Sequence, residues 1–466
     1  MKTAPQRITI AAAILLFAAG ATIVSHASFA QPASAQSARA QAQPAGFVTE
    51  QRQVGAFSAI ELGGPYRVVI DAQARQAVTV SGERKQLDDM DVAVRGDTLV
   101  VRPVSKISFN FSFNSKRREL PTVTIGAAGL KSLRMSGSGD VQLDQVGSER
   151  FSIVNTGPGD LHASGAVRQL VVENTGSGDL DLRRMKTGDA DVKLSGPGDV
   201  ELASVGNELA VQMSGSGDLR ADGMRAARVR ARMQGPGDLK LSGAARELQL
   251  ESNGSGDFEA CELAVEGVRS VQRGPGNACI GGSIRRFDAE VHGSGELQAR
   301  GLQAASGQLR LGGPGNAELS GSIGELRLDM SGSGDLNGEN LQVGKAVVRS
   351  RGPGGVRLQN VSDTLDAEMH GSGELHASMS GKRLLLRMDG PGDARIDGSV
   401  DQVSAQINGS GSLEGRRLSV VQSDISVRGP GSAAVNLIGS DKGKGRASER
   451  GQLLMVDRSG SHRGGD

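Results

Sequence analysis

Carboxylates recur along this chain with a period of about 20 residues, always three residues after the glycine that opens a Gly-Ser-Gly or Gly-Pro-Gly motif. The consecutive members of this acidic column are Asp140, Asp160, Asp179, Asp199, Asp218, Asp238 and Asp257. Carboxylates stacked at a strand spacing of about 4.8 Å repel each other by about 1 kcal/mol even in water. A cation such as Ca²⁺, which takes about 6–8 oxygen ligands, would relieve that repulsion. The column is therefore a candidate cation ladder.

A structural role for the same acids is the competing interpretation. An Asp that follows a glycine can cap a turn through its own side chain, without any bound ion. Gly355, Ser412 and Ser432 occupy the same position of later repeats without a charge. This tolerance of neutral residues favours turn chemistry, and we predict no cofactor.

Histidines and glycine-rich loops give no stronger catalytic pattern. His292 and His370 lie at equivalent positions four repeats apart, about 19 Å at strand spacing, which is too far for a shared metal. The glycine motifs differ from phosphate loops, because neither a helical pattern nor a Lys-Ser/Thr pair follows them. Acids that recur in most repeats differ from a unique catalytic pair, and the chain has no Trp and one Tyr, Tyr66. We therefore predict a protein without catalysis, with a polysaccharide-acting enzyme as an alternative.

Two cysteines, Cys261 and Cys279, lie in consecutive repeats at positions whose side chains should face outward. An exported protein can form disulfides. An offset of two residues between neighbouring straight strands would place the Cα atoms about 8 Å apart, beyond the usual limit of about 7 Å. The sequence thus allows a disulfide but does not decide for it.

The element that positions these residues is a repeat of about 20 residues, a period found in solenoid proteins. Its motif alternates strictly between Gly-Ser-Gly and Gly-Pro-Gly over sixteen copies, which contain 32 of the 68 glycines and 8 of the 14 prolines. The first glycines of the copies are Gly137, Gly157, Gly176, Gly196, Gly215, Gly235, Gly254, Gly274, Gly293, Gly313, Gly332, Gly352, Gly371, Gly390, Gly409 and Gly429. Chance does not produce such regularity, and it indicates a solenoid.

Apolar residues alternate on both sides of each motif, as Leu209, Val211 and Met213 do before Gly215. Period two is typical of a strand with one inward face. The same parity places both glycines of each motif inward, at a corner where the interior has no room for a Cβ. These corner positions begin with Gly137, Gly139, Gly157, Gly159, Gly176 and Gly178.

The repeats predict an all-β fold, a parallel β-helix of about sixteen coils of 19–20 residues with an N-terminal β cap. Residues 47–136 should form the N-terminal strands and cap, residues 137–440 the β-helix, and residues 441–466 a disordered tail in which 452–456 could dock as a short cap. One coil per two repeats, or about 39 residues, with two different corners, is the rival arrangement. A thin interior of Leu, Val, Ala and Met accounts for the 2% aromatic content.

The beginning of the chain has the pattern of an export signal. Lys2 and Arg7 precede an apolar run, and Ser28-Phe29-Ala30 provides small residues for cleavage after residue 30. We predict a signal peptide over 1–30, a flexible linker over 31–46 and no transmembrane span after signal removal. The chain has 53 basic and 52 acidic residues, so it has no large excess of positive charge to attract nucleic acid, and we predict no nucleic-acid partner. The mature protein should be periplasmic or extracellular.

Four runs of this sequence resemble the bacterial head GIN domain family, described as "putative auto-transporter adhesin". They are Phe57–Leu62, Gly64–Ile70, Gly96–Val101 and Leu133–Asp140, and the resemblance extends from residue 47 to about 250, with further copies of the same repeat beyond. It implies a secreted β-helical domain without established catalysis, and it supplies no functional residues.

The function expected from these observations is that of an exported, non-enzymatic β-solenoid for binding, adhesion-like attachment or scaffolding in the bacterial cell envelope. Its partner would be an unidentified envelope or extracellular polymer or protein. Outward arginines such as Arg228, Arg230 and Arg232 in one strand could meet an acidic polymer. A calcium-stabilised surface module is the main alternative.

Overall fold

The computed structural model describes residues 46–104, 120–438, 444–448 and 450–457, so the predicted signal peptide and nearly all of the predicted linker lie outside the described residues. One short helix, α1 (Arg84–Asp88), accompanies the strands. No helix in these ranges has the length and hydropathy of a membrane span. The first strands are β1 (Phe47–Arg52), β2 (Ala59–Leu62), β3 (Arg67–Asp71), β4 (Ala77–Glu83), β5 (Met90–Arg95), β6 (Thr98–Pro103), β7 (Thr122–Gly126) and β8 (Ser132–Met135).

From β9 onward the strands pair in parallel with the strand one repeat away, as the repeat of about 20 residues predicts. The pairing of Leu161 with Val141 and of Leu180 with Leu161 advances one repeat at a time. One coil therefore takes a single repeat, and the alternative of two repeats per coil is wrong. The strands are β9 (Val141–Asn155), β10 (Leu161–Asn174), β11 (Leu180–Leu194), β12 (Val200–Ala203), β13 (Val205–Met213), β14 (Leu219–Met233), β15 (Leu239–Ser252), β16 (Phe258–Gln272), β17 (Ala278–Ile280), β18 (Arg286–Val291), β19 (Leu297–Leu311), β20 (Ala317–Met330), β21 (Leu336–Ser350), β22 (Val356–Met369), β23 (Glu374–Asp389), β24 (Asp393–Asn408), β25 (Ser412–Arg428), β26 (Ser432–Leu437), β27 (Lys444–Ala447) and β28 (Gln452–Asp457).

The β-solenoid with an N-terminal cap is thus confirmed. Antiparallel pairs of β1 with β4, β4 with β7 and β5 with β6 cover the beginning of the stack, whereas β2 and β3 pair in parallel with β8 and β9. Gly64 and Tyr66 lie directly beneath Gly137 and Gly139, so the cap repeats the corner once with a tyrosine in place of the second glycine. Burial, with a smaller contribution from Asp89, raises the pKa of Tyr66 to about 12.

Each coil turns a second time at the eighth residue after the first glycine. The backbone has a positive φ there in nine coils, at Gln145, Gly165, Ser204, Gly223, Gly243, Gly282, Gly301, Gly321 and Gly398. Glycine adopts this conformation without the strain of a Cβ, which explains why most of these residues are glycines. Two successive residues near this bend are partly exposed, as Ser164 and Gly165 are, and the strand pairing shifts register beside it.

One continuous apolar interior runs from Phe57 to Leu437. Three phenylalanines lie inside the coils, Phe151, Phe258 and Phe287, each no more than 4% exposed. Gly307 stacks directly on Phe287 and its missing Cβ leaves space for that ring. This thin core therefore accommodates an aromatic side chain where the neighbouring coil has a smaller residue at the paired position.

The end of the chain differs from the prediction of a disordered tail over 441–466. β27 pairs with β25, and β28 pairs with β26 in parallel, so the described part of this segment continues the stack. Leu453 and Met455 of β28 pack against the last coils. The alternative prediction, docking of residues 452–456 as a short cap, agrees with this arrangement.

Candidate functional site

The corner glycines lie inward, and the reason for glycine is the close approach of the coil beneath. A Cβ on Gly176 would lie 2.1 Å from the carbonyl oxygen of Gly157, and one on Gly178 would lie 2.1 Å from that of Gly159. The obstacle is thus backbone in the neighbouring coil, rather than the crowded interior that the sequence suggested. Gly159 N–H donates to Gly137 O at 3.1 Å, which holds the corners at this separation.

The acidic column forms a ladder of hydrogen bonds between coils. From Asp160 to Asp238, the Oδ1 atom of each Asp accepts the backbone N–H of the corresponding residue in the next coil at 2.7–2.9 Å. Asn277 and Gly355 donate in the same way to Asp257 and Asp335. The sequence predicted that each Asp caps a turn of its own coil, whereas in the structure its carboxylate accepts an N–H of the next coil. A Gly can occupy the column because it still supplies the N–H.

This ladder leaves the cation interpretation without a built site. One oxygen of each paired Asp is used by the next backbone N–H. Across the ranges that the structure describes, no group of three or more His, Cys, Asp or Glu side chains is arranged to hold a metal ion. The repulsion between stacked carboxylates is offset by hydrogen bonds to the charged acceptors.

Substitution of one ladder residue separates these roles. Asp218→Ala removes the acceptor of the Asp238 N–H, which lies 2.8 Å from Asp218 Oδ1, and should lower the free energy of unfolding by about 1 kcal/mol. Asp218→Asn keeps the oxygen and should stay within a few tenths of a kcal/mol of the wild type. Urea unfolding measures both. Equal losses in the two variants would show that charge, rather than hydrogen bonding, holds the column.

Two buried asparagines support the same corners from inside, at an inward position where the two-residue period predicts an apolar side chain. Asn155 and Asn174 are fully buried, and Asn155 Nδ2 donates to Asn174 Oδ1 at 3.1 Å. Asn174 Nδ2 also donates to the carbonyls of Gly178 and Gly198, at 3.1 and 3.2 Å. The signal was present as a polar residue two places before the motif, in consecutive repeats.

Cys261 and Cys279 are paired as a disulfide, with Cα atoms 5.2 Å apart. The larger Cα separation that the sequence predicted is wrong, because it assumed straight strands. The register of β16 against β15 shifts by one residue between Glu259 and Glu262, so β16 is not a straight strand at Cys261. A separation calculated for straight strands therefore does not apply to this pair, and the observed Cα distance is within the range of a disulfide.

Thiol titration of the unreduced, denatured protein should find no free thiol, and prior reduction should release two. The bridge closes a loop with a sequence separation of 18 residues, so reduction should lower the free energy of unfolding by about 3 kcal/mol. Cys261→Ser should unfold like the reduced wild type. Two titratable thiols before reduction would contradict the pairing.

Each described histidine near the motif lies beside a carboxylate. His292 Nε2 is 3.2 Å from Glu290, and His370 contacts Glu368 and Asp389 through its two ring nitrogens at 3.0 and 3.2 Å. The hydrogen bond from His292, followed by the charge of Arg310, lowers the pKa of Glu290. Among these histidine contacts only that of His370 with Asp389 joins neighbouring coils, and the contacts bring together no shared metal site.

Three arginines of β14, Arg228, Arg230 and Arg232, have their charges engaged between coils. Glu208 forms ion pairs with both Arg228 and Arg230, and Arg232 Nε lies 3.5 Å from Glu251. Opposite charges in adjacent strands stabilise the pairing. This row is therefore not the free cationic surface that the sequence suggested for an acidic polymer.

Asp181 titrates differently from an ordinary surface acid. The side-chain hydrogen bond from Arg183 lowers its pKa strongly, against the opposing effect of desolvation. Since a depressed pKa stabilises the fold above the unfolded pKa of about 3.9, that stability is lost as the pH falls below about 4. In urea unfolding from pH 5 to 2, Asp181→Asn and Arg183→Gln should each lose less stability than the wild type. An unchanged acid slope in both would refute this linkage.

The chain is thus a parallel β-solenoid. Its corners hold neighbouring coils together, and alternate side chains between the corners face outward. The chain belongs to the head GIN domain family, described as "putative auto-transporter adhesin", whose model matches residues 56–207, 203–283, 282–378 and 359–456. The matched segments reach beyond residue 250, as the further copies of the repeat predict. No curated protein matches the sequence.

Solved structures with similarity to the chain come from Bacteroides and Parabacteroides. A "putative adhesin" from Bacteroides fragilis is 19% identical, with 62% of this chain and 96% of that chain covered and a TM-score of 0.20. A "putative adhesin" from Parabacteroides distasonis is 14% identical, with 65% and 97% covered and a TM-score of 0.31. A "putative lipid binding protein" from Parabacteroides distasonis is 15% identical, with 85% and 98% covered and a TM-score of 0.18.

Proposed function

We propose that the protein is an exported, non-enzymatic binding module of the bacterial cell envelope, which presents the outer faces of its coils to an envelope polymer or protein. The observation that supports this function is that the corner residues of a coil hold the stack together. The regular acids, such as Asp218, are hydrogen-bonded to the next coil, so the side chains between the corners are the ones available to a partner. The adhesin description of the family agrees with such a role.

Retention of envelope material by the immobilised mature chain tests this function. Isolated envelope fragments and surface polysaccharide are passed over the protein, and the retained and unretained material is analysed for amount and chain length. We expect retention of a polymer or protein of unchanged length. The proposal fails if nothing is retained, or if shortened polysaccharide products accumulate, which would favour the enzyme alternative.

A further inference from the structure

Three basic side chains follow one another on the outer face of neighbouring strands late in the solenoid. Arg357 of β22 pairs in register with His376 of β23, which pairs with Arg395 of β24. Residues directly opposite in adjacent strands are close, and like charges at such positions destabilise the pairing. The guanidinium groups of Arg357 and Arg395 flank His376 in this stack, so an anion bound beside it would lie near two permanent positive charges.

An earlier basic pair at the same position of the repeat has no excess of positive charge. Arg220 pairs in register with Lys240, but Arg220 Nε lies 2.6 Å from Asp222 and Lys240 Nζ lies 2.7 Å from Glu259. Both cations there have a dedicated carboxylate. That earlier pair serves as an internal reference for the later one.

Arg357 lacks this neutralisation. His376 contacts Glu374 at 3.2 Å and Arg395 contacts Glu414 at 2.7 Å, whereas Arg357 makes no ion pair or side-chain hydrogen bond with any residue in the described ranges. Its own corner offers no carboxylate, because Gly355 occupies the acidic column in this coil. Arg357 is therefore an exposed guanidinium with all its donors available.

These groups line an outer cavity of about 420 Å³, a volume within the range of small-ligand sites. The lining side chains include the guanidinium groups of Arg357, Arg395 and Arg417 with the carboxylates of Glu339 and Asp397. Arg417 Nη2 holds Asp397 at 2.7 Å.

Neutral polar groups complete the same cavity. Gln359 and Ser378 add an amide and a hydroxyl to its wall. Such groups can hydrogen-bond the hydroxyls of a carbohydrate. The wall thus adds uncharged donors and acceptors to the Arg357 guanidinium and to the charged groups already described.

We propose that this cavity binds the anionic group of an acidic carbohydrate chain, a carboxylate or a phosphate, with Arg357 as the principal ligand and His376 and Arg395 beside it along the stack. The planar guanidinium can donate two parallel hydrogen bonds to either group. This inference rests on the proposed binding function and names the site and ligand class for it.

Isothermal titration of the full mature chain at low salt tests the site with oligogalacturonate, a glycerol phosphate oligomer and neutral dextran. We expect at least one anionic oligomer to bind, dextran not to bind, and added salt to weaken the binding. Binding of oligogalacturonate alone identifies a uronic acid chain, and binding of the phosphate oligomer alone identifies a polyol phosphate. Binding of neither anionic oligomer, or of dextran as tightly, overturns the proposal.

Two variants and one matched control locate the interaction. Arg357→Gln should weaken binding by at least about tenfold, since it removes charge-assisted hydrogen bonds. Gly355→Asp restores the acid found in other coils beside Arg357 and should weaken binding similarly, in a backbone setting that accepts Asp elsewhere. Arg220→Gln should leave the affinity unchanged, and thermal melting checks that each variant is folded.

The outcomes separate this site from the broader function. If the wild type retains envelope material while Arg357→Gln and Gly355→Asp bind as tightly as Arg220→Gln, the site is wrong and the binding function stands. If the wild type retains no envelope material, the proposed function itself fails.

Discussion

Gly237→Ala is expected to destabilise the solenoid by about 3 kcal/mol or more. A Cβ on Gly237 would lie 2.1 Å from the carbonyl oxygen of Gly217 in the coil beneath, far inside van der Waals contact. The obstacle is backbone, which cannot rotate away as a side chain could. The coils must therefore separate, and their hydrogen bonds weaken. Urea and thermal unfolding measure the loss.

A matched glycine in the same region is the control. Gly206 has no positive φ, and its Cβ would meet only the carbonyl oxygen of Thr187, at 3.5 Å. Gly206→Ala should therefore be neutral or stabilising by a few tenths of a kcal/mol, through the reduced freedom of the unfolded chain. A Gly237→Ala protein that unfolds like Gly206→Ala would show that the corner tolerates a side chain.

The second large effect is expected at the buried asparagine pair. Asn174→Leu should cost about 2–3 kcal/mol, because it removes the side-chain donor to the Gly198 carbonyl and the acceptor of the Asn155 amide. Leu194 occupies the same position in the next coil, so leucine itself suits this corner.

A double-mutant cycle isolates the pairing of the two amides. Asn155→Leu with Asn174→Leu replaces both partners by apolar groups and should cost less than the sum of the single changes, by about 1 kcal/mol or more. Urea unfolding of the wild type, both single variants and the double variant measures this coupling. Strict additivity would mean that the two side chains act independently.

The sequence predicted the coil length, the inward parity and the corner glycines because these depend on a strict period. It missed the second bend, since glycine stands there in only some repeats and residues such as Gln145 and Ser204 adopt the same positive φ. The separation of Cys261 and Cys279 was wrong for the same reason, because a local bulge has no periodic signature.

The candidate site was predicted less well than the fold. The acidic column was visible, but its hydrogen bonds to the following coil depend on the stacking distance, which the spacing of residues does not contain. The free cation at Arg357 depends on the absence of an acid in one coil and on pairs formed elsewhere. Repetition in sequence identified what is common to the coils, and a binding site lies where one coil departs from the rest.

The acidic ladder also gives the stack a direction. Each Asp oxygen accepts from the coil that follows it, as Asp160 does from Asp179, so a finished coil presents a ready acceptor to the next segment of chain. The cap is joined by a bond of the opposite sense, in which Val68 N–H donates to the backbone oxygen of Asp140 at 2.9 Å. The carboxyl-terminal face of a partial stack therefore exposes a carboxylate acceptor, whatever the order in which the coils form.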